Sequence, residues 1–155
     1  MRQFLVITIL ACCVCRGQIV SVTGGKIRGA LTDDGGAVFK GIPFAQPPTG
    51  ERRWREPLEI KPWTGVRDAT AFGAPCIQGG GLGANSSEDC LYLNVWMPHW
   101  PAQSRTAVMV WIHGGGNFAG ASSEPTFDGQ SLARYGVVLV SVNYRLGVFG
   151  FFAHP

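Results

Sequence analysis

Two short apolar runs constrain this chain more than any other feature. "AVMVWIHG" (residues 107–114) and "GVVLVSVNY" (136–144) are nearly unbroken hydrophobic stretches bounded by turn residues. A strand with one wet face alternates apolar and polar residues. A strand that reads apolar throughout is expected in a sheet covered on both faces, the usual setting of parallel strands. Between the runs lies "SSEPTFDGQSLARYG" (122–136), where Asp128 is placed to cap a short helix running to about Tyr135 and Gly136 to end it. Strand, short helix, strand is the βαβ pattern of a mostly parallel sheet.

The upstream sequence is different in kind. "IVSVTGGKIRGALTDDGGAVFKGIPFA" (19–45) alternates short β-like runs with turn residues, at Thr23-Gly24-Gly25 and Asp33-Asp34-Gly35-Gly36, and predicts a small hairpin or meander. In the next segment Pro47, Pro48, Pro57 and Pro62 rule out long regular elements. "QGGGLGANSSE" (78–88) reads as loop, and "CLYLNVWMP" (90–98) as a strand stopped by Pro98. No internal repeat or low-complexity segment is present. The fold class expected is α/β, with small antiparallel strands leading into a mostly parallel sheet. After the second apolar run the sequence offers no covering helix, so the chain reads as the first part of something larger.

Residues 1–17 read as an export signal: Arg2 supplies the charge, "FLVITILACCVC" the apolar region, and Gly17 the small residue for cleavage. The run is too short to span a bilayer. An alternative cut exists, because "ILAC" resembles a bacterial lipobox and would make Cys12 a lipidated first residue. The expected location is therefore secreted or periplasmic, with a lipid-anchored form as the alternative. Cys12, Cys13 and Cys15 lie within this segment, which argues against a metal reading of "CCVC". Cys76 and Cys90 remain, and two cysteines closing a short loop in an oxidising compartment are expected to pair, for about 3 kcal/mol on a chain-entropy estimate. Asn85-Ser86-Ser87 within that loop is a glycosylation sequon if the source is eukaryotic.

Charge narrows the partners. The net charge is +3 with 15% charged residues, and the one tight basic group, Arg52, Arg53 and Arg55, is interleaved with Glu51, Trp54 and Glu56. No basic stripe or recognition motif accompanies it, which weighs against nucleic acid. No metal-ligating pattern or transmembrane span is expected.

The glycines after the first apolar run carry the chemistry. Gly114-x-Gly116-x-x-Ala119 loosely fits a dinucleotide fingerprint, but His113 occupies the strand end, no convincing helix begins at Gly116, and the next strand ends in Asn143-Tyr144 where an acidic ribose ligand belongs. Gly79-x-Gly81-x-x-Ala84 fits the same pattern but follows no strand. His-Gly-Gly-Gly after a buried strand instead fits an oxyanion hole: bare main-chain amides that hold the developing charge of an acyl-transfer intermediate, each contributing about 3 kcal/mol.

Taken together, "GKIRG", "FKGIPFAQPPTGERRW", "EDCLYLNVWMP", "VMVWIHGGGNFAG" and "VVLVSVNYRLGVFGFF" resemble, in order and spacing, the N-terminal part of the type-B carboxylesterase and cholinesterase family, from about Val20 to Pro155. The resemblance implies an α/β-hydrolase fold, so that residues 18–155 would be the first portion of the domain, ending before the nucleophile elbow. It implies that Gly115 and Gly116 supply oxyanion-hole amides, that Gly114 lets the turn form, and that His113 ends the strand without being the catalytic base. It makes Cys76–Cys90 the family's first disulfide, Arg53 and Glu88 a buried structural ion pair, and Arg145 a structural charge. Serine, base and carboxylate would all lie C-terminal to Pro155. Gly129-Gln130-Ser131-Leu132-Ala133 is no substitute, since the elbow needs a strand before the serine. Ser122 and Ser123 have no base at a predictable spacing, and His99 and His154 read as surface or packing residues.

The parent activity implied is cofactor-free hydrolysis of a small-molecule carboxylic ester, with the 155 residues alone inactive. The Cys76–Cys90 loop contains no aromatic residue for a choline cation, which favours a general carboxylic ester. The rival reading is a non-catalytic, neuroligin-like adhesion protein on the same scaffold.

Overall fold

A computed structural model of the chain describes residues 18–102 and 105–153. The export-signal expectation, with Cys12, and His154 lie outside the described residues. Seven strands form one sheet: β1 (Gln18–Val22), β2 (Gly25–Leu31), β3 (Ala37–Pro43), β4 (Val66–Asp68), β5 (Tyr92–Met97), β6 (Val108–Ile112) and β7 (Val138–Val142). Their order is β1-β2-β3-β5-β7-β6, with β4 pairing β2 in parallel.

The N-terminal strands run as the turn residues dictate. β1 and β2 are antiparallel around the two-residue turn Thr23-Gly24, and β3 returns against β2. β5 crosses antiparallel between β3 and β7, and its ladder with β3 breaks its register between Phe39 and Ile42. β6 and β7 are parallel, in register from Val108↔Val138 to Ile112↔Val142. The short helix α1 (Gln130–Ala133) lies in their connection, as the βαβ pattern requires. Asp128 Oδ1 accepts the Gln130 N–H at 3.0 Å, and Gly136, at φ +84°, ends the segment. A second short helix, α2 (Gly147–Gly150), follows β7. β4 is an addition to the reading, three residues directly after the proline-rich segment.

The core is divided. Ile27, Ala37, Phe39, Ile42 and Ala69 pack between the N-terminal strands, with Trp63 and Trp100 against them. Trp96, Leu139 and Ala133 join β5, β7 and α1. Ala45, Cys76, Cys90, Leu91 and Leu146 form a third cluster beside Tyr144. Each fully buried side chain of Leu or Ile size contributes about 1.5–3 kcal/mol.

One expectation is not met within the described residues. Every residue of β6 is exposed, Ile112 at 64% and Val108 at 62%, although the run was read as covered on both faces. Among the described residues β6 hydrogen-bonds only to β7, and its one ring contact is Trp111 with Phe127 at 5.4 Å. Periodicity reports the cover a strand needs; it cannot say which residues provide it.

Candidate active site

The candidate site is the backbone loop from His113 to Gly120, where the chain leaves β6. Positive φ falls on four of its residues: Gly115 (+110°), Gly116 (+61°) and Asn117 (+66°) in succession, and Gly120 (+111°) where the loop ends. The left-handed positions therefore begin at Gly115, and not at Gly114, which takes no such conformation. The Gly115 carbonyl accepts N–H bonds from Phe118 at 3.1 Å and Ala119 at 3.2 Å, closing the turn on itself. A Cβ on Gly115 would stand 1.9 Å from the Ala119 oxygen, so this close approach excludes every other residue. A Cβ on Gly116 would meet nothing within 4 Å. Among the described residues no acceptor is bonded to the N–H of Gly115 or Gly116, and both residues are exposed. Ile112, His113, Gly114, Gly116, Asn117, Val142, Tyr144 and Phe151 line an open, mostly apolar cleft at this end of the sheet.

His113 is engaged elsewhere. It is 3% exposed, stacks on Tyr144 with centroids 4.4 Å apart, and holds its Nδ1 2.9 Å from the Gly114 carbonyl. A carbonyl only accepts, so Nδ1 carries a hydrogen. Tyr144 donates its hydroxyl to the His113 carbonyl at 2.8 Å, locking the strand end from the other side. Gly147 N–H donates to the Asn117 carbonyl at 2.7 Å, so α2 also grips the loop.

Beyond the glycines the chain enters a buried polar network that sequence reading passed over. Asn94, Ser122, Ser141 and Asn143 are each at most 2% exposed. Asn94 Oδ1 accepts the Gly41 N–H at 2.9 Å, and its Nδ2 donates to Ser122 Oγ and Ser141 Oγ, both at 3.0 Å. Asn143 Oδ1 accepts from Ser122 N at 2.9 Å and Ser122 Oγ at 2.8 Å, while its Nδ2 donates to the Ala74 carbonyl at 3.1 Å. Ser122 is thus a structural residue. No side-chain polar atom buried among the described residues lacks a partner, which is the condition under which such a network rigidifies. The available signal was Asn and Ser set inside otherwise apolar strand runs, at Asn94, Ser141 and Asn143.

Cys76 and Cys90 are bonded, and both are buried. Arg53 and Glu88 form a two-pronged ion pair at 2.6 and 2.5 Å. The pair is partly exposed, with side chains 36% and 21% accessible, and so is not the buried pair expected. The Arg53 guanidinium lies 5.7 and 5.8 Å from the centres of the Trp54 and Phe149 rings. The Arg53 guanidinium, chiefly by hydrogen bonding, holds the Glu88 carboxyl below its ordinary range. Arg145 donates from Nη1 to the Arg55 carbonyl at 2.9 Å, tying the proline-rich segment to the end of β7. Asn85 is exposed in a short 3-10 turn, Gly83–Asn85. Ser131 sits within α1, and His99 lines a separate cleft with Asp34, Gln130 and Arg134. No group of three potential metal-ligating side chains occurs among the described residues, and none of their helices is long and apolar enough to cross a membrane.

The carboxylesterase family profile matches residues 16–154. The chain belongs to the carboxylesterase family. It is 47% identical over 142 residues to the para-nitrobenzyl esterase of Bacillus subtilis (strain 168), covering 86% of this chain and 29% of that protein. It is 47% identical over 122 residues to the fumonisin B1 esterase of Sphingopyxis macrogoltabida, covering 76% of this chain and 23% of the relative. With the cholinesterase of Mus musculus it shares 43% identity over 154 residues, 88% of this chain and 25% of that one. Among solved structures, a thermophilic PNB esterase superposes with a TM-score of 0.82 at 44% identity, over 89% of this chain and 30% of that one. The Geobacillus stearothermophilus carboxylesterase does so with 0.77 at 42%, over 86% and 27%. The chain thus spans between 23% and 29% of the length of these curated relatives. These carboxylesterase structures establish its sheet as a partial α/β-hydrolase fold.

Proposed function

We propose that the full-length gene product hydrolyses small-molecule carboxylic esters through an acyl-enzyme, with the Gly115 and Gly116 amides holding the anionic oxygen of the tetrahedral intermediate. The attacking serine, its histidine base and the orienting carboxylate are assigned to sequence C-terminal to Pro155, and residues 18–155 to the first portion of the domain. The observation carrying this reading is a pair of exposed amides, without an acceptor among the described residues, in a turn whose Gly115 position only glycine permits, at the carboxyl end of a strand in a carboxylesterase-family chain. Ligands of open α/β sheets bind at that end of the strands. Prearranged donors there stabilise developing charge without reorganising, which is how such sites lower barriers. The engaged Nδ1 and ring face of His113 support its assignment as a scaffold for the turn.

The loop between the bonded cysteines has no aromatic residue, which supports a general ester over a choline ester. We assign residues 1–17 to export, consistent with a disulfide. The test is turnover of a p-nitrophenyl acyl ester by the full-length product. Gly116→Ala, which projects a methyl into open space beside the amides, should lower kcat by about 10²-fold or more. Unchanged turnover in that variant removes Gly116 from the site, and no turnover in the unaltered protein rejects the ester reading.

A further inference from the structure

The loop bearing the Gly115 and Gly116 amides is also gripped at its far end, by the side chain of Gln78. Gln78 Oε1 accepts the Gly120 N–H at 2.9 Å, and Gln78 Nε2 donates to the Gly120 carbonyl at 2.9 Å. The two bonds together fix the orientation of the carboxamide, since only oxygen can face the N–H and only nitrogen the carbonyl. The same Nε2 also donates to the Cys76 carbonyl at 3.0 Å. Cys76 is buried and bonded to buried Cys90, two residues before β5. Gln78 is thereby anchored through the disulfide to the sheet.

Gly120 passes that grip on to the turn. Its Cα lies so close to the loop entrance that an added Cβ would stand 2.5 Å from His113 Nδ1 and 2.7 Å from the Gly114 carbonyl. Gly115 is pressed in the same way against Ala119. Entrance and exit are therefore closely packed, Gly120 against the His113 ring and the Gly114 carbonyl and Gly115 against the Ala119 backbone, so displacing Gly120 displaces Gly114 and Gly115. We propose that Gln78 is a positioning residue: its two-bond clasp on Gly120 sets the direction of the Gly115 and Gly116 amides. This rests on the ester-hydrolase reading above, and adds to it a residue that touches neither substrate nor reacting atoms.

The test compares Gln78→Glu and Gln78→Met with the unaltered full-length protein, in p-nitrophenyl ester turnover against pH and in amide hydrogen exchange. Q78E keeps the acceptor for the Gly120 N–H but turns a carboxylate towards two carbonyls. It should lose about tenfold in kcat at pH ~8 with KM within about twofold. Two facing carbonyl dipoles, with partial burial, raise the new carboxyl's pKa, and once protonated it regains a donor. The kcat ratio of variant to parent should therefore narrow as pH falls to ~5. A kcat within twofold of the parent at pH ~8 overturns the proposal. So does a loss that acid does not reverse and that a lowered Tm accounts for. The Gly120 amide should exchange as slowly as ladder amides in the unaltered protein and quickly in Q78M. Fast exchange in the unaltered protein overturns the clasp whether or not either variant folds. Absence of ester turnover in the unaltered protein rejects the ester reading and with it the positioning role, while slow Gly120 exchange would still uphold the clasp itself.

Discussion

Removing the Asn143 side chain should cost far more than its size suggests. Asn143→Ala deletes three hydrogen bonds, from Ser122 N, from Ser122 Oγ and to the Ala74 carbonyl, at a residue 2% exposed. Each group left unpaired in the interior costs about 1–3 kcal/mol, and a water entering the cavity recovers part of it, so the expected loss is about 3–5 kcal/mol. Ser122→Ala is the instructive contrast. There Asn94 Nδ2 keeps Ser141 Oγ at 3.0 Å and Asn143 Oδ1 keeps the Ser122 N–H at 2.9 Å, so neither partner is fully orphaned. The expected cost is about 1 kcal/mol. Combining the two removes one of the orphans, so the double variant should cost about 1 kcal/mol less than the sum. Equilibrium urea unfolding of the full-length product, followed through tryptophan fluorescence with Trp96 buried in β5 as one reporter, reads all three values. An Asn143→Ala loss no larger than that of Ser122→Ala, or strict additivity, would refute the reasoning, because the network would then be contributing no more than surface polarity does.

The remaining predictions concern the turn, the disulfide and two carboxylates. Gly115→Ala should destabilise the protein more than Gly116→Ala: the first meets the Ala119 oxygen at 1.9 Å, whereas the second bears only a left-handed φ, worth about 1–2 kcal/mol. Thermal melts of the pair check this, and equal Tm losses would count against the turn geometry. Cys76 and Cys90 should resist alkylation until a reductant is added, as mass spectrometry of the modified peptides will show. The Asp34 carboxyl is lowered to about 2, first by the Thr32 hydroxyl and then by Arg134. A lowered folded-state pKa gives stability that is present above the ordinary carboxylate value and is lost as pH falls through the folded value. The tie between the β2–β3 turn and the segment after α1 should therefore weaken between about pH 4 and 2. NMR titration of the Asp34 carboxyl follows it, and a midpoint near 4 would contradict the contact. Glu88 follows the same sign: its contribution fades as pH drops below its ordinary range, and Arg53→Met should return its titration to that range.

Local chemistry made much of this protein legible in its sequence. Glycine-bearing turns, the two-residue Thr23-Gly24 and the longer connection from Thr32 to Gly36, set the antiparallel start, because hairpin register follows turn length. Two nearly unbroken apolar runs around a short helix specified parallel β6 and β7, and the glycines after β6 announced a tight turn, in which Gly115 approaches the Ala119 backbone. What sequence could not supply was every relation between distant residues. That Gln78 holds Gly120, that Tyr144 locks His113 and that Asn143 reaches both Ser122 and Ala74 depends on how β5, β6 and β7 are ordered in the sheet. The same holds for the partial exposure of Arg53 and Glu88 and the open faces of β6, since accessibility is a property of neighbours. A residue's type limits the bonds it can form; only the folded arrangement decides which partner stands within reach.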